Sequence, residues 1–307
     1  MLQLLQPLRP KTSPQSTTCP YPSGRLAKAH AVWPFLTVLL TALLCLARPV
    51  TVQASDAKRI VVLYAAFSEI LQSIGQEERI IARTKSDTNP RLQHLPVVGT
   101  HMRPNIERIV ALTPDLVLQL AGRSEAAMTS EALRKQGIRV LDLELASFRD
   151  LMQVTHTLGE LTGAQEQAQA QTELWQKRLA AIQARHTGPA PRVFFEVRYP
   201  NLLAAGKNNI VNEIIEIAGG SNCLGTAKKL VRLSEEELLA LNPDVYLMQK
   251  GPMNPAPQPL SARKNLAGLT AAQNGQILVV SEEDFSRPGP RAIEACDQLE
   301  RWLHRAR

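Results

Sequence analysis

The sequence predicts an α/β protein of two lobes, each with a small parallel sheet flanked by helices, joined by one long rigid α-helix. Three observations carry this expectation. A short unit is written twice, as "IERIVALTPDLVL" at residues 106 to 118 and as "EEELLALNPDVYL" at 235 to 247. Glu107, Ala111, Leu112, Pro114, Asp115 and Leu118 meet Glu236, Ala240, Leu241, Pro243, Asp244 and Leu247. Apolar β-rich runs alternate with helical patterns at spacings that suit parallel crossovers, which need a dozen or more residues. Between the two copies lies a stretch rich in Ala, Gln, Leu and Glu, residues 148 to 186, with the composition of a helix.

Each half opens on a basic residue and a buried-strand pattern, "RIVVLY" at 59 to 64 and "RVFFEV" at 192 to 197. A helical pattern follows, "SEILQSIG" at 68 to 75 and "NEIIEIAG" at 212 to 219, each closed by a glycine where a helix end turns left-handed. The repeated helix, Pro-Asp and strand unit comes next. Each half then adds a helix, a glycine and another strand, "LRKQGIRVLDL" at 133 to 143 and "AAQNGQILVVS" at 271 to 281. The N-terminal lobe is thus expected at 58 to 147 and the C-terminal lobe at 190 to 307. The connecting helical region, 148 to 186, is closed by "TGPAP" and lacks the Gly/Ser character of a flexible linker.

Residues 1 to 54 read differently. Arg25 and Lys28 precede the apolar run "AVWPFLTVLLTALLCLA" and then "VQA", the order of a secretory signal peptide, with cleavage expected after Ala54. The alternative is an uncleaved membrane anchor. In the oxidising compartment that export implies, Cys223 and Cys296 are either a disulfide pair or two isolated thiols.

With 44% hydrophobic, 4% aromatic and 21% charged residues among 307, the chain is an ordinary globular one, large enough for one big core or two modest ones. Its formal charge of +7 is unevenly placed, because Arg9, Lys11, Arg25, Lys28 and Arg48 precede residue 55 and no acid does. The exported part keeps 30 bases against 28 acids, so nucleic-acid binding loses its electrostatic support.

No G-x-S-x-G elbow, H-E-x-x-H, phosphate-cradling glycine loop or zinc-spaced cysteine pair is present, so no catalytic residue is assigned and an enzyme is not expected. Binding is better supported, since ligands of open α/β sheets sit beyond the carboxyl ends of the strands. The residues there are Tyr64, Arg83, Lys85, His101, Met102, Arg103, Arg198, Tyr199, Lys250 and Arg287. Six bases in this set imply an anionic ligand. His101 and Met102 invite a metal, but no cluster of hard ligands accompanies them, so a metal would arrive inside an organic chelator. Glu107 and Glu236 hold one position in the two copies. They either dock onto arginines of a two-fold symmetric partner or are acids favoured in a first helical turn.

On these residues the chain resembles a known family. "NIERIVALTPDLVL", the "VVGT" before it, "AGGSN" at 218 to 222, "LSEEELLALNPDVYL" and "SRPGPR" are similar to the periplasmic binding proteins of ABC importers for iron-siderophores, haem and cobalamin, whose lobes are joined by a rigid helix. The resemblance runs from about residue 58 to the C-terminus. It implies a monomeric periplasmic protein without a resident cofactor, which binds a metal chelate between its lobes and meets arginines of an ABC permease dimer through Glu107 and Glu236. Two departures bear on the ligand. Where family members often carry tyrosines after the second strand, this chain reads "RTKSDTNP", and the only tryptophans and tyrosines of its exported part are Trp175, Trp302, Tyr64, Tyr199 and Tyr246, where cobalamin binders line the cleft with several aromatics. An iron chelate, siderophore or haem, is therefore expected, with cobalamin as the alternative. A bilobed metal carrier or an occupancy sensor is the reading outside transport.

Overall fold

The computed structural model describes residues 56 to 186 and 188 to 305; the expected signal peptide lies outside the described residues. The first lobe is built on β1 (Ile60–Val62), β2 (Ile80–Ala82), β3 (Leu116–Leu120) and β4 (Val140–Leu143). These form one parallel sheet in the order β2-β1-β3-β4. Helices α1 (Ala65–Ser73), α2 (Ile106–Ala111) and α3 (Ser124–Lys135) fill the crossovers. Alternate strand residues serve two cores. Ile60, Val62, Leu116 and Leu118 pack with Phe67 and Leu71 of α1, while Val61 and Val117 pack with Ile109 and Leu133 of α2 and α3. Both faces are apolar, as a sheet covered on both sides requires.

Residues 148 to 186 are helical, but they are not the one long helix their composition predicts. Ser147 and Asp150 cap the start of α4 (Phe148–Thr162), and Gly163 ends it at φ 70°, a left-handed conformation that glycine takes without strain. The chain then doubles back as α5 (Gln165–Gln183), with the Thr172 hydroxyl 3.3 Å from His156 Nε2. A Cβ on Gly159 would lie 2.6 Å from that of Ala168, so only glycine permits this close approach. The connection to the second lobe is α5 alone, 19 residues long, or about 28 Å at the usual helical rise.

The second lobe comprises β5 (Arg192–Arg198), β6 (Leu203–Ala205), α6 (Ile210–Ile217), β7 (Ser221–Asn222), β8 (Leu230–Arg232), α7 (Glu235–Leu241), β9 (Val245–Lys250), α8 (Thr270–Gln273), β10 (Ile277–Ser281), α9 (Glu282–Phe285) and α10 (Pro290–Arg305). Parallel strands β5, β9 and β10 repeat the order of β1, β3 and β4, and the short β7 pairs with β5 as β2 does with β1. The sheet is nevertheless mixed, because β6 and β8 add an antiparallel extension with no counterpart in the first lobe. Residues 199 to 202 between β5 and β6 are too few for a parallel crossover.

The repeated Pro-Asp has a structural cause. The Asp115 carboxylate accepts from the backbone N–H of Lys58 at 2.8 Å and of Arg59 at 3.0 Å, fixing the entry to β1. Asp244 accepts from Arg192 N–H at 2.7 Å and does the same for β5. The basic residue that opens each half completes the clamp, Arg59 donating to the carbonyls of Leu112 and Thr113 and Arg192 to that of Asn242. Thr113 and Asn242 occupy matched left-handed positions at φ 44° and 39°. Replacing either aspartate by alanine is expected to cost about 1–2 kcal/mol, the value of charge-assisted backbone bonds at an exposed site. Urea unfolding of Asp115→Ala and Asp244→Ala, with similar losses in both, checks the equivalence.

One apolar core runs through both lobes, from Ile60 and Phe67 through Leu151, Leu158 and Trp175 to Phe195, Ile214 and Leu299. Cys223 and Cys296 are free thiols and not a disulfide pair. Cys296 sits on the buried face of α10 in this core, whereas Cys223 packs beside a separate cluster around Phe194 and Tyr246. Burial raises both thiols, that of Cys223 to about 11.

Candidate functional site

The carboxyl ends of the two sheets each open on a pocket, and the space between the lobes there is the candidate cleft. On the first lobe Tyr64 follows β1, its ring edge-on to Phe67 at 5.7 Å and to His101 at 6.3 Å. Burial pushes the Tyr64 phenol up to about 12. His101 and Met102 share a small pocket with Leu63, Gln119 and Arg123, and the Arg123 guanidinium donates to Met102 Sδ. Burial, then the charges of Arg123 and Arg287, hold the His101 imidazole below its ordinary value and so neutral at pH 7.

On the second lobe Arg198 and Tyr199 line a cavity of about 610 Å³ together with Arg232 and the loop carrying Met253 and Asn254. Just before β8, burial of the Lys229 amine, followed by the charge of Arg123 from the first lobe, lowers its pKa. Among the described residues neither Arg123 nor Lys229 forms an ion pair. Beneath the cavity Glu196 and Arg263 form a buried ion pair. The Tyr246 hydroxyl donates to Glu196 at 2.6 Å, and the Arg263 guanidinium lies 3.8 Å from the ring centroid of Tyr199.

Several residues listed from sequence take other roles. Arg83 is buried and does not reach the rim. Its guanidinium donates to the carbonyls of Leu92, Asp87 and Gln93 and to the Gln93 side chain, because residues 87 to 93 wrap around it. Arg287 pairs with Glu69 of the first lobe at 3.2 Å and so ties the lobes together at the base of the cleft, where the Thr88 hydroxyl also donates to Glu283. Burial raises the Glu69 carboxyl in spite of Arg287 and Arg291. Lys85, Arg103 and Lys250 are exposed and line neither pocket.

Glu107 and Glu236 are each the second residue of their helix, exposed, and without a side-chain partner among the described residues. The neighbours of Glu236 are engaged. Glu237 closes a capping box with Ser234, and Glu235 accepts from Tyr199 at 2.7 Å and from Asn265 at 2.8 Å.

Arg123 and Arg232 line the two pockets although sequence reasoning passed over them. Arg123 follows β3, so the strand-end rule applied to "LVLQLAGR" would have found it. Lys229 and Arg232 lie in the extension that the internal repeat lacks. Among the described residues no group of three or more His, Cys, Asp or Glu side chains is placed to hold a metal ion, and no helix is long and apolar enough to cross a membrane.

Two like α/β lobes, a helix between them and a cleft at their strand ends define a bilobed, helix-linked binding protein. The profile of the periplasmic binding protein family matches residues 60 to 283, and the chain belongs to that family. It is 27% identical over 252 residues to the uncharacterized ABC transporter substrate-binding lipoprotein YvrC of Bacillus subtilis (strain 168), covering 80% of this chain and 79% of that one. It is 28% identical over 263 residues to a cobalamin-binding protein of Halobacterium salinarum, covering 81% and 70%. The periplasmic heme binding protein HutB of Vibrio cholerae has the same fold, with a TM-score of 0.72 at 23% identity over 80% of this chain and 98% of that one.

Proposed function

We propose that the protein is the periplasmic solute-binding component of an ABC transporter, that it takes an anionic iron chelate, haem or a ferric siderophore, into the cleft, and that it delivers this cargo to a permease dimer through Glu107 and Glu236. The reading includes no covalent step. The observation that carries it is the set of cations at the strand ends, Arg123 beside His101 in the first-lobe pocket and Arg198 and Arg232 in the second-lobe cavity, none of them ion-paired among the described residues. Two cations held together disfavour each other's charged forms, and an anion between them reverses the penalty. Neutral His101 and the Tyr64 phenol add nitrogen and oxygen donors on the same side. The names of relatives such as the Halobacterium protein favour cobalamin as a second reading.

Arg123→Ala and Lys229→Ala are each expected to weaken binding of hemin or a ferric siderophore by roughly tenfold, the value of one charge-assisted contact. Affinity also depends on pH with a definite sign. Only the ammonium form of Lys229 attracts an anion, so binding weakens as pH rises through a pKa that lies below the usual lysine value. Titration calorimetry across pH and salt measures both effects. Cyanocobalamin binding that is tighter than that of either iron chelate, and indifferent to both substitutions, would reject the anionic reading.

A further inference from the structure

We propose that the second-lobe end of the cleft is a carboxylate-binding subsite, gripped by Arg198 and Arg232, which favours hydrophilic ferric chelates bearing carboxylates over flat macrocycles. The inference rests on the iron-chelate reading and narrows it.

Strand register brings the two arginines together. Arg198 of β5 pairs with Leu203 of β6, and Leu203 pairs with Arg232 of β8, so the arginines flank one residue across three strands. Two interstrand steps set their Cα atoms about 10 Å apart. The pairing shifts between Glu196 and Arg198, and an irregularity of this kind re-aims the side chain that follows it. Both side chains line the 610 Å³ cavity, and no carboxylate lines it with them.

Neither arginine has an ion-pair or side-chain hydrogen-bond partner among the described residues, and Arg198 Nε is buried with its donor unused. A buried donor without an acceptor is costly, and an oxyanion entering the cavity supplies the acceptor. The planar guanidinium fork matches a carboxylate in two-point contact, which an ammonium cannot do.

Flat macrocycles find less to hold them. Phe67, Phe148, Phe194, Phe195, Phe285 and Tyr246 are buried, as is Trp175 of α5, and Trp302 packs beside Leu278 on α10, in a different groove. Tyr64 and Tyr199 remain. The Tyr199 ring has one face covered by Arg263 at 3.8 Å and its hydroxyl fixed to Glu235, and the Tyr64 ring is flanked by Phe67 and His101. The cavity therefore offers paired cations and a single tyrosine ring, with no second ring to close a slot around a flat macrocycle. Arg232 comes from the antiparallel extension unique to the second lobe, so the duplicated fold departs from its own symmetry at the place where these cations are supplied.

Calorimetric titration of the purified protein with ferric citrate, hemin and cyanocobalamin tests the subsite, using wild type, Arg198→Gln, Arg232→Gln, the double variant and Arg198→Lys. Ferric citrate affinity is expected to fall roughly tenfold with each glutamine and about a hundredfold with both. Arg198→Lys is expected to recover part of the loss, and hemin, whose two propionates can meet the arginines but whose ring finds no partner there, is expected to lose less affinity than ferric citrate. Thermal unfolding confirms that each variant is folded. A folded double variant with wild-type ferric citrate affinity overturns the subsite, and an equal loss for hemin overturns the preference. Tight hemin binding without ferric citrate binding overturns the subsite and leaves the iron-chelate reading standing. Cyanocobalamin binding alone, or binding of none of the three, overturns both.

Discussion

A strain whose binding protein carries Glu107→Arg together with Glu236→Arg is expected to lose uptake of the iron chelate by about 100-fold or more, while the purified variant keeps its ligand affinity. The separation of the two effects follows from where the carboxylates sit. Each is exposed at the second position of its helix and has no partner within the protein among the described residues, so reversal breaks no internal contact. The stability cost is the lost attraction to the helix dipole, at most about 1 kcal/mol per site. At an interface the balance differs. Removing one member of a desolvated charge pair costs about 2–5 kcal/mol, reversal opposes like charges, and each 1.4 kcal/mol is roughly tenfold. Growth on the chelate as sole iron source, beside calorimetry on the same variant, measures both quantities. Unchanged uptake rejects the docking role, and lost ligand affinity shows that the carboxylates act on the cleft instead.

The largest change in stability is expected at Glu196. Its side chain is fully buried and takes contacts from both terminal guanidinium nitrogens of Arg263, from the Tyr246 hydroxyl and from the Asn254 amide. Glu196→Ala leaves the Arg263 charge buried without its partner, which costs about 3–5 kcal/mol. Replacing both charges with apolar residues of similar volume, Glu196→Leu with Arg263→Met, should recover most of that loss, because neither desolvated ion then remains. Urea unfolding of the three proteins decides the matter. If the single variant unfolds at the wild-type midpoint, the ion pair contributes nothing. The same substitution should loosen the ligand cavity, since Arg263 also holds the Gln258 carbonyl in the proline-rich loop that lines it.

The architecture was largely legible because its signals are local. Pro-Asp and the opening arginine recur since each lobe needs the same clamp at its first strand, and Gly75 and Gly219 stand where helix ends turn left-handed at φ 71° and 80°. The break at Gly163 was harder to see, because the residues beyond it favour helix strongly and the close packing of Gly159 on Ala168 is set by tertiary contact. The antiparallel extension escaped notice for a different reason. Its strands are three residues long, and β8 is exposed to half-exposed, so neither carries a clear alternating pattern. For the site, the strand-end rule indicated the right region but could not assign partners. Arg83 and Arg287 both read as free cations, and whether a cation is free depends on Gln93 and Glu69, which only the fold brings near. The cysteines are the same case, since spacing says nothing of which core each side chain enters.

The apolar body that passes from Phe67 through Trp175 to Leu299 has a further consequence. Polypeptides separated at Gly188 would each carry raw hydrocarbon surface that only the other fragment can cover. The two pieces are therefore complementary and obligate mates. Heating is expected to melt the joined chain as one cooperative body, with no stage at which a solitary half survives.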